Sequence, residues 1–204
     1  MNNIDSIVYI NLDKRTDRKI QIEEELNRMN LIAERFSGIE YPPEKGWVGC
    51  LSSHTNVLKN AMEKRVKNIL VLEDDFYWKI ENRDALDKAV QSALDLVPNY
   101  DVLMFDYCIQ KSQPYNELLG KVIESSTASA YLVNGHYIPI LYHCLNEAVP
   151  LAQKSHPHTS YLYINDQYWK RLQPYGKWYY FLNKLGYQRN GYSNINNSEV
   201  VHTY

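Results

Sequence analysis

A chain of 204 residues, 45% hydrophobic and 23% charged, can bury one sizeable core and reads as one ordinary globular domain. Its 22 basic and 24 acidic residues leave a net charge of −2, a balance that argues against nucleic-acid partners. Cys50, Cys108 and Cys144 are odd in number and widely spaced, which excludes a CxxC zinc ribbon and a disulfide framework and leaves buried free thiols.

The elements alternate in type along the chain. SIVYINL (6–12) reads as a buried strand, followed by a helix to about Asn30 that Thr16 or Asp17 can cap. Ile22, Leu26 and Met29 share one face of that helix. AERFSGI (33–39) is a weaker strand before the proline-containing loop EYPPEKG. Residues 47–65 have a helical period, with Leu51, Leu58, Ala61 and Met62 on one face. NILVL (68–72) is the continuous apolar run expected of a central parallel strand covered on both faces. A helix is predicted over 83–97, a buried strand at DVLMF (101–105), a strand at TASAYLV (127–133) and a helix over 135–149.

From 155 onward the pattern is less regular. The aromatic stretch YGKWYYFLNKLGY (175–187) is expected to be a buried final strand, with peripheral contact to a membrane surface as the alternative. No stretch approaches a membrane span, and MNNIDSIVYINLDKR lacks the features of a signal peptide, so the expected location is cytoplasmic. Strands alternating with helices predict a single α/β domain whose ligands bind at the carboxyl ends of the strands.

Three consecutive carboxylates, Glu73, Asp74 and Asp75, follow the most apolar strand and therefore emerge at that edge. Alternation along an extended chain turns Glu73 and Asp75 to one side and Asp74 to the other. Converging carboxylate oxygens suit a hard divalent cation such as Mn or Mg, which would also relieve their mutual repulsion. The competing reading is a set of hydrated acids at a strand end.

Two α/β families place acids there. A phosphoacceptor receiver domain would use Asp106, at the end of NYDVLMFDY, but 67 residues precede the acidic strand and no Lys precedes a Pro. The second resemblance is more specific. INLDKRTDR (10–18), GWVGCLSSH (46–54), ILVLEDD (69–75), DVLMFDY (101–107), SSTASAYLVN (125–134), INDQYW (164–169) and YQRNGYSNI (187–195) resemble, in order, the segments of glycosyltransferase family 25.

That resemblance implies a GT-A-like, Rossmann-like fold with a mixed, mostly parallel sheet flanked by helices. It also implies transfer of a hexose, galactose or glucose, from a UDP-sugar to a glycan, a lipid-linked saccharide or a protein hydroxyl, with inversion and with Mn or Mg as cofactor. Glu73, Asp74 and Asp75 are the metal candidates and Asp166 the candidate base, although Asp166 also suits the first turn of a helix. Asn11, Leu12, Arg15, Arg18, Gly49, Ser53, His54, Gln188 and Ser193 are the donor-site candidates. His54 alternatively serves as a hydrogen-bonded core residue, and His202 is a further candidate imidazole ligand. Two residues depart from the family pattern: Trp47 replaces a Glu and Asn194 an Asp. These departures leave a catalytically degenerate binding module as the alternative.

Overall fold

The computed structural model describes residues 4–156, 159–193 and 198–201. The first strand and helix are β1 (Ser6–Asn11) and α1 (Thr16–Arg28), then β2 (Glu34–Ser37), α2 (Gly46–Glu63), β3 (Asn68–Glu73), β4 (Phe76–Trp78) and α3 (Arg83–Leu96). The second half contributes β5 (Val102–Met104), β6 (Cys108–Pro114), β7 (Leu119–Ser126), β8 (Ala130–Asn134), α4 (Ile138–Lys154), α5 (Asn165–Tyr168), β9 (Trp178–Phe181), β10 (Gly186–Gln188), β11 (Gly191–Ser193) and β12 (Ser198–Val200).

Among the described residues the main sheet has eight strands in the order β2-β1-β3-β8-β5-β9-β7-β6. β1 pairs in parallel with both β2 and β3, and β5 with β9. β8 runs against its neighbours β3 and β5, and β7 against β9 and β6, so the other six strands share one direction. The sheet is mixed and mostly parallel, as the sequence predicts.

Alternation along the strands divides the core. Ile69 and Val71 of β3, with Tyr131 and Val133 of β8, face a layer containing Val48, Leu51, Leu58, Leu141 and Leu145 of α2 and α4. Leu70, Leu72 and Leu132 face the other layer, with Ile22 and Leu26 of α1 and Leu86 and Val90 of α3. This two-sided burial is why NILVL shows no polar alternation. The chain passes from β1 to β2 through one helical layer, then returns through the other layer to β3 on the opposite side of β1. Such a switch point leaves a crevice at the carboxyl ends of β1 and β3.

Several boundaries differ from expectation. α1 begins at Thr16, but neither Thr16 nor Asp17 caps it through its side chain, and Asn30 beyond its end takes a left-handed φ of 48°. α4 continues past Pro150 to Lys154, because Ala148 and Ala152 remain buried in the core beneath it. The predicted strand over 127–133 is broken: β7 ends at Ser126, Thr127 has φ 77°, and β8 starts at Ala130. The hairpin β6–β7 and the short strand β4 have no counterpart in the sequence reading. WYYF within the aromatic stretch is β9, a buried interior strand as expected.

Candidate active site

A cleft of about 520 Å³ opens at the carboxyl ends of β1 and β3. Leu12, Arg15, Arg18, Gly49, Ser53, His54, Glu73, Asp74, Asp75 and Gln188 line it, together with Arg189 and Tyr192. Most donor-site and metal candidates thus converge from four segments far apart in the chain. A volume of this order suits a small organic ligand such as a nucleotide derivative.

The positive charge that the acidic triplet requires comes from α1. The Arg18 guanidinium donates to Asp74 Oδ1 at 3.1 Å and to Asp75 Oδ2 at 2.8 Å, and its second amino group donates to the Tyr192 carbonyl at 2.9 Å. Asn11, 1% exposed at the end of β1, donates to Asp74 Oδ2 at 2.8 Å. The expected pairing of Glu73 with Asp75 against Asp74 is therefore corrected. Extended structure stops at Glu73 and the chain turns, so Asp74 and Asp75 are brought onto one guanidinium.

Burial raises the Asp74 carboxyl above its ordinary range, opposed by Arg18 and Asn11. Burial pushes Asp75 up to about 7, reinforced by the charge of Glu73 and opposed by Arg18. Asp75 Oδ1 is buried without a hydrogen-bond partner. An orphaned carboxylate oxygen beside a second carboxylate fits a hard divalent cation, which would supply the missing contact.

Glu73 has different partners. His54 Nε2 lies 3.0 Å from its Oε1, and Gln188 donates to its Oε2 at 3.3 Å. The opposite nitrogen of His54, Nδ1, is 2.8 Å from the Tyr131 hydroxyl. His54 is fully buried, which agrees with its core reading, yet its edge reaches the cleft wall. Cys50, one turn earlier on α2, places its thiol 3.9 Å from Glu73 and 3.8 Å from Asn165 Oδ1. Burial, then the charges of Glu73 and Asp166, push that thiol well above its usual range.

Asp166 lies in the first turn of α5, and its Oδ2 accepts the Thr127 N–H at 2.8 Å. Burial raises its carboxyl, partly offset by that hydrogen bond. It lies outside the cleft lining and within electrostatic reach of Glu73 and Cys50.

Other candidates hold the scaffold. Ser53 Oγ donates to the Gly49 carbonyl at 2.7 Å and accepts the Ile39 N–H at 2.8 Å, so both sides of the hydroxyl are used internally. A Cβ on Gly49 would meet the Ile39 carbonyl oxygen at 2.3 Å; the close backbone approach at this glycine is that of the loop after β2. Arg15 is bound to Asp17 at 2.8 Å and to the Tyr192 carbonyl at 3.1 Å. The Ser193 side chain, Asn194 and His202 lie outside the described residues. Asp106, the receiver candidate, is an anchor: it accepts Ser129 Oγ at 2.7 Å and Lys184 Nζ at 3.0 Å.

The sequence reading missed Arg189, whose N–H donates to the Asp75 carbonyl at 2.7 Å and so fastens the QR segment to the acidic turn. It also missed Tyr131 and Asn165, which have no signal beyond lying in matched segments. For Cys50 the signal was present as Cys-x3-His, a spacing that puts both side chains on one helical face.

No curated protein matches the chain. Among solved structures it is similar to A197 from STIV, at 12% identity and a TM-score of 0.50, covering 98% of this chain and 94% of that one. It also resembles a mannose-1-phosphate geranyltransferase from Thermus thermophilus, at 9% identity, a TM-score of 0.48, and 86% and 72% coverage. A third is a glycosyltransferase involved in the glycosylation of the major capsid of PBCV-1, at 19% identity, a TM-score of 0.41, and 78% and 74% coverage. The mixed sheet of the present chain, with helices on both faces, is a GT-A-like arrangement. The family profile described as glycosyltransferase family 25 (LPS biosynthesis protein) matches residues 44–173, which carry α2, the acidic turn, β8 and Asp166. The chain belongs to glycosyltransferase family 25.

Proposed function

We propose that this chain is a metal-dependent, inverting glycosyltransferase that moves galactose or glucose from a UDP-sugar to a hydroxyl of a glycan, a lipid-linked saccharide or a protein. The observation that carries the reading is the buried Asp74–Asp75 pair with its orphaned oxygen, set in a nucleotide-sized cleft at the sheet's carboxyl edge. These two carboxylates would hold Mn²⁺ or Mg²⁺, which when bound stabilises the charge that develops on the leaving diphosphate.

Arg15 and Arg18 present guanidinium groups to the same mouth and suit phosphate oxygens. Gln188 and Leu12 also line the cleft and would help orient the donor. Asp166, outside the cleft lining but within electrostatic reach of Glu73, would remove the proton from an acceptor hydroxyl brought to it; its raised carboxyl is better matched to that task than an ordinary aspartate. No helix among the described residues is long and apolar enough to cross a membrane.

Thermal unfolding with UDP and Mn²⁺ tests the donor site. Ligand at a hundred times its Kd stabilises the native state by about 2.7 kcal/mol, or roughly 5–10 °C for a chain of this size. The wild type should show that shift and Asp75→Asn should lose it; an unshifted wild type at saturating ligand would overturn the reading. Trp47 supports a second reading, a binding module without turnover, because its ring packs against the core where the family pattern has a carboxylate. Such a module would keep the shift and fail to hydrolyse any of a panel of UDP-sugars, the same panel that would identify the donor.

A further inference from the structure

Beside the acid pair, a second set of ligand atoms converges with a different chemistry. Cys50 and His54 are four residues apart on α2, so one helical face presents both to the end of β3. Cys50 Sγ, His54 Nε2 and a Glu73 carboxylate oxygen all lie within 4.8 Å of one another. The His54–Glu73 separation is 3.0 Å and the Cys50–Glu73 separation 3.9 Å. Zinc bound at roughly 2.0–2.3 Å to such atoms sets tetrahedral edges of roughly 3.3–3.7 Å, so the two pairs that involve Glu73 lie within a few tenths of an ångström of that geometry.

The surroundings are those of a built site. The Tyr131 hydroxyl occupies His54 Nδ1 at 2.8 Å, which orients the ring and leaves Nε2 aimed at the cluster. Asn165, 2% exposed, brings Oδ1 to 3.8 Å from the thiol. Cys50, His54 and Glu73 all border the cleft, which gives a cation its way in. Sulfur and imidazole ligands favour zinc over the Mg²⁺ or Mn²⁺ that suits the all-oxygen pair nearby.

We infer that Cys50, His54 and Glu73 form a zinc-class cation site beside the Asp74–Asp75 pair, in the same cleft. Binding releases the thiol proton to solvent. The imidazole proton then resides on Nδ1 and is donated to the Tyr131 oxygen, leaving Nε2 to ligate. The bound ion ties α2 to the end of β3.

Cobalt is the probe. Purified protein stripped with a chelator and titrated with Co²⁺ should develop the near-ultraviolet thiolate-to-cobalt band and the intense visible bands of a tetrahedral centre, both abolished by one equivalent of Zn²⁺. Cys50→Ser should lose the sulfur band and bind zinc at least roughly tenfold more weakly. Asp75→Asn should keep the cobalt spectrum, which separates this site from the donor site. A wild-type cobalt spectrum lacking the sulfur band would overturn the inference without reference to any variant. So would a sulfur band or zinc affinity unchanged in Cys50→Ser, since the thiol would then come from Cys108 or Cys144.

Discussion

Replacing Arg18 by Met removes the one guanidinium shared by Asp74 and Asp75 while keeping a long apolar stem. The three side chains are 15%, 10% and 11% exposed, so the interaction is largely shielded from water. Removing one member of a buried charged group leaves the others uncompensated, at about 3–5 kcal/mol; residual exposure places this case near the lower end. For a domain of this size that is a fall in Tm of roughly 6–12 °C.

The penalty depends on pH in a definite direction. Asp75 is raised in the folded state, to about 7, so its charged form opposes folding above that pH. Protonation relieves the opposition as pH falls through the folded value toward the ordinary carboxylate range. The gap between variant and wild type should therefore be widest at mildly alkaline pH and should close as the solution is acidified toward the ordinary carboxylate range. Differential scanning calorimetry across that range, with circular dichroism to confirm folding, is the assay. A variant within about 2 °C of wild type at mildly alkaline pH, a difference worth about 1 kcal/mol or less, would refute the electrostatic reasoning. A gap that does not narrow on acidification would refute it as well.

Other outcomes follow from single contacts. Asp166→Asn should lower kcat by roughly 10²-fold or more while leaving KM for the donor unchanged; a selective rise in donor KM in steady-state kinetics would remove Asp166 from the acceptor side. Gly49→Ala forces a methyl against the Ile39 carbonyl and should destabilise by about 1–3 kcal/mol in urea unfolding. Tyr131→Phe leaves His54 Nδ1 buried without its partner and should cost about 1–3 kcal/mol, measured in the same assay.

The sheet was legible where burial is two-sided. ILVL (69–72) and VLMF (102–105) are unbroken apolar runs because both of their faces are covered, and the acids follow the first directly. β6 was not legible, because it is exposed along nearly its whole length and slips register against β7 between Ile109 and Ser112, so no period-two pattern is imposed on it. The break between β7 and β8 was hidden by Thr127, a β-branched residue in a left-handed conformation that glycine or asparagine ordinarily marks. At the site, the family segments located most of the cleft. They could not reveal that Arg18, 56 residues from Asp74, is the counter-ion, since sequence spacing carries no record of which side chains meet across a switch point. The same limit hid Arg189 behind the acidic turn.

The pairing of β10 with β4, which sets Gln188 opposite Phe76, also determines when the cleft exists. A chain emerging from the ribosome acquires β3 and both aspartates well before the wall carrying Gln188 and Arg189, because Gln188 lies 115 residues after Glu73. Nascent chains halted before residue 186 present the acids without that wall. Ligand capacity consequently follows the synthesis of β10, and a contact so distant in sequence carries the loop-closure cost of a non-local pairing. A donor analogue added during refolding should therefore engage only molecules in which the last strands have docked, making its binding a clock for completion of the fold.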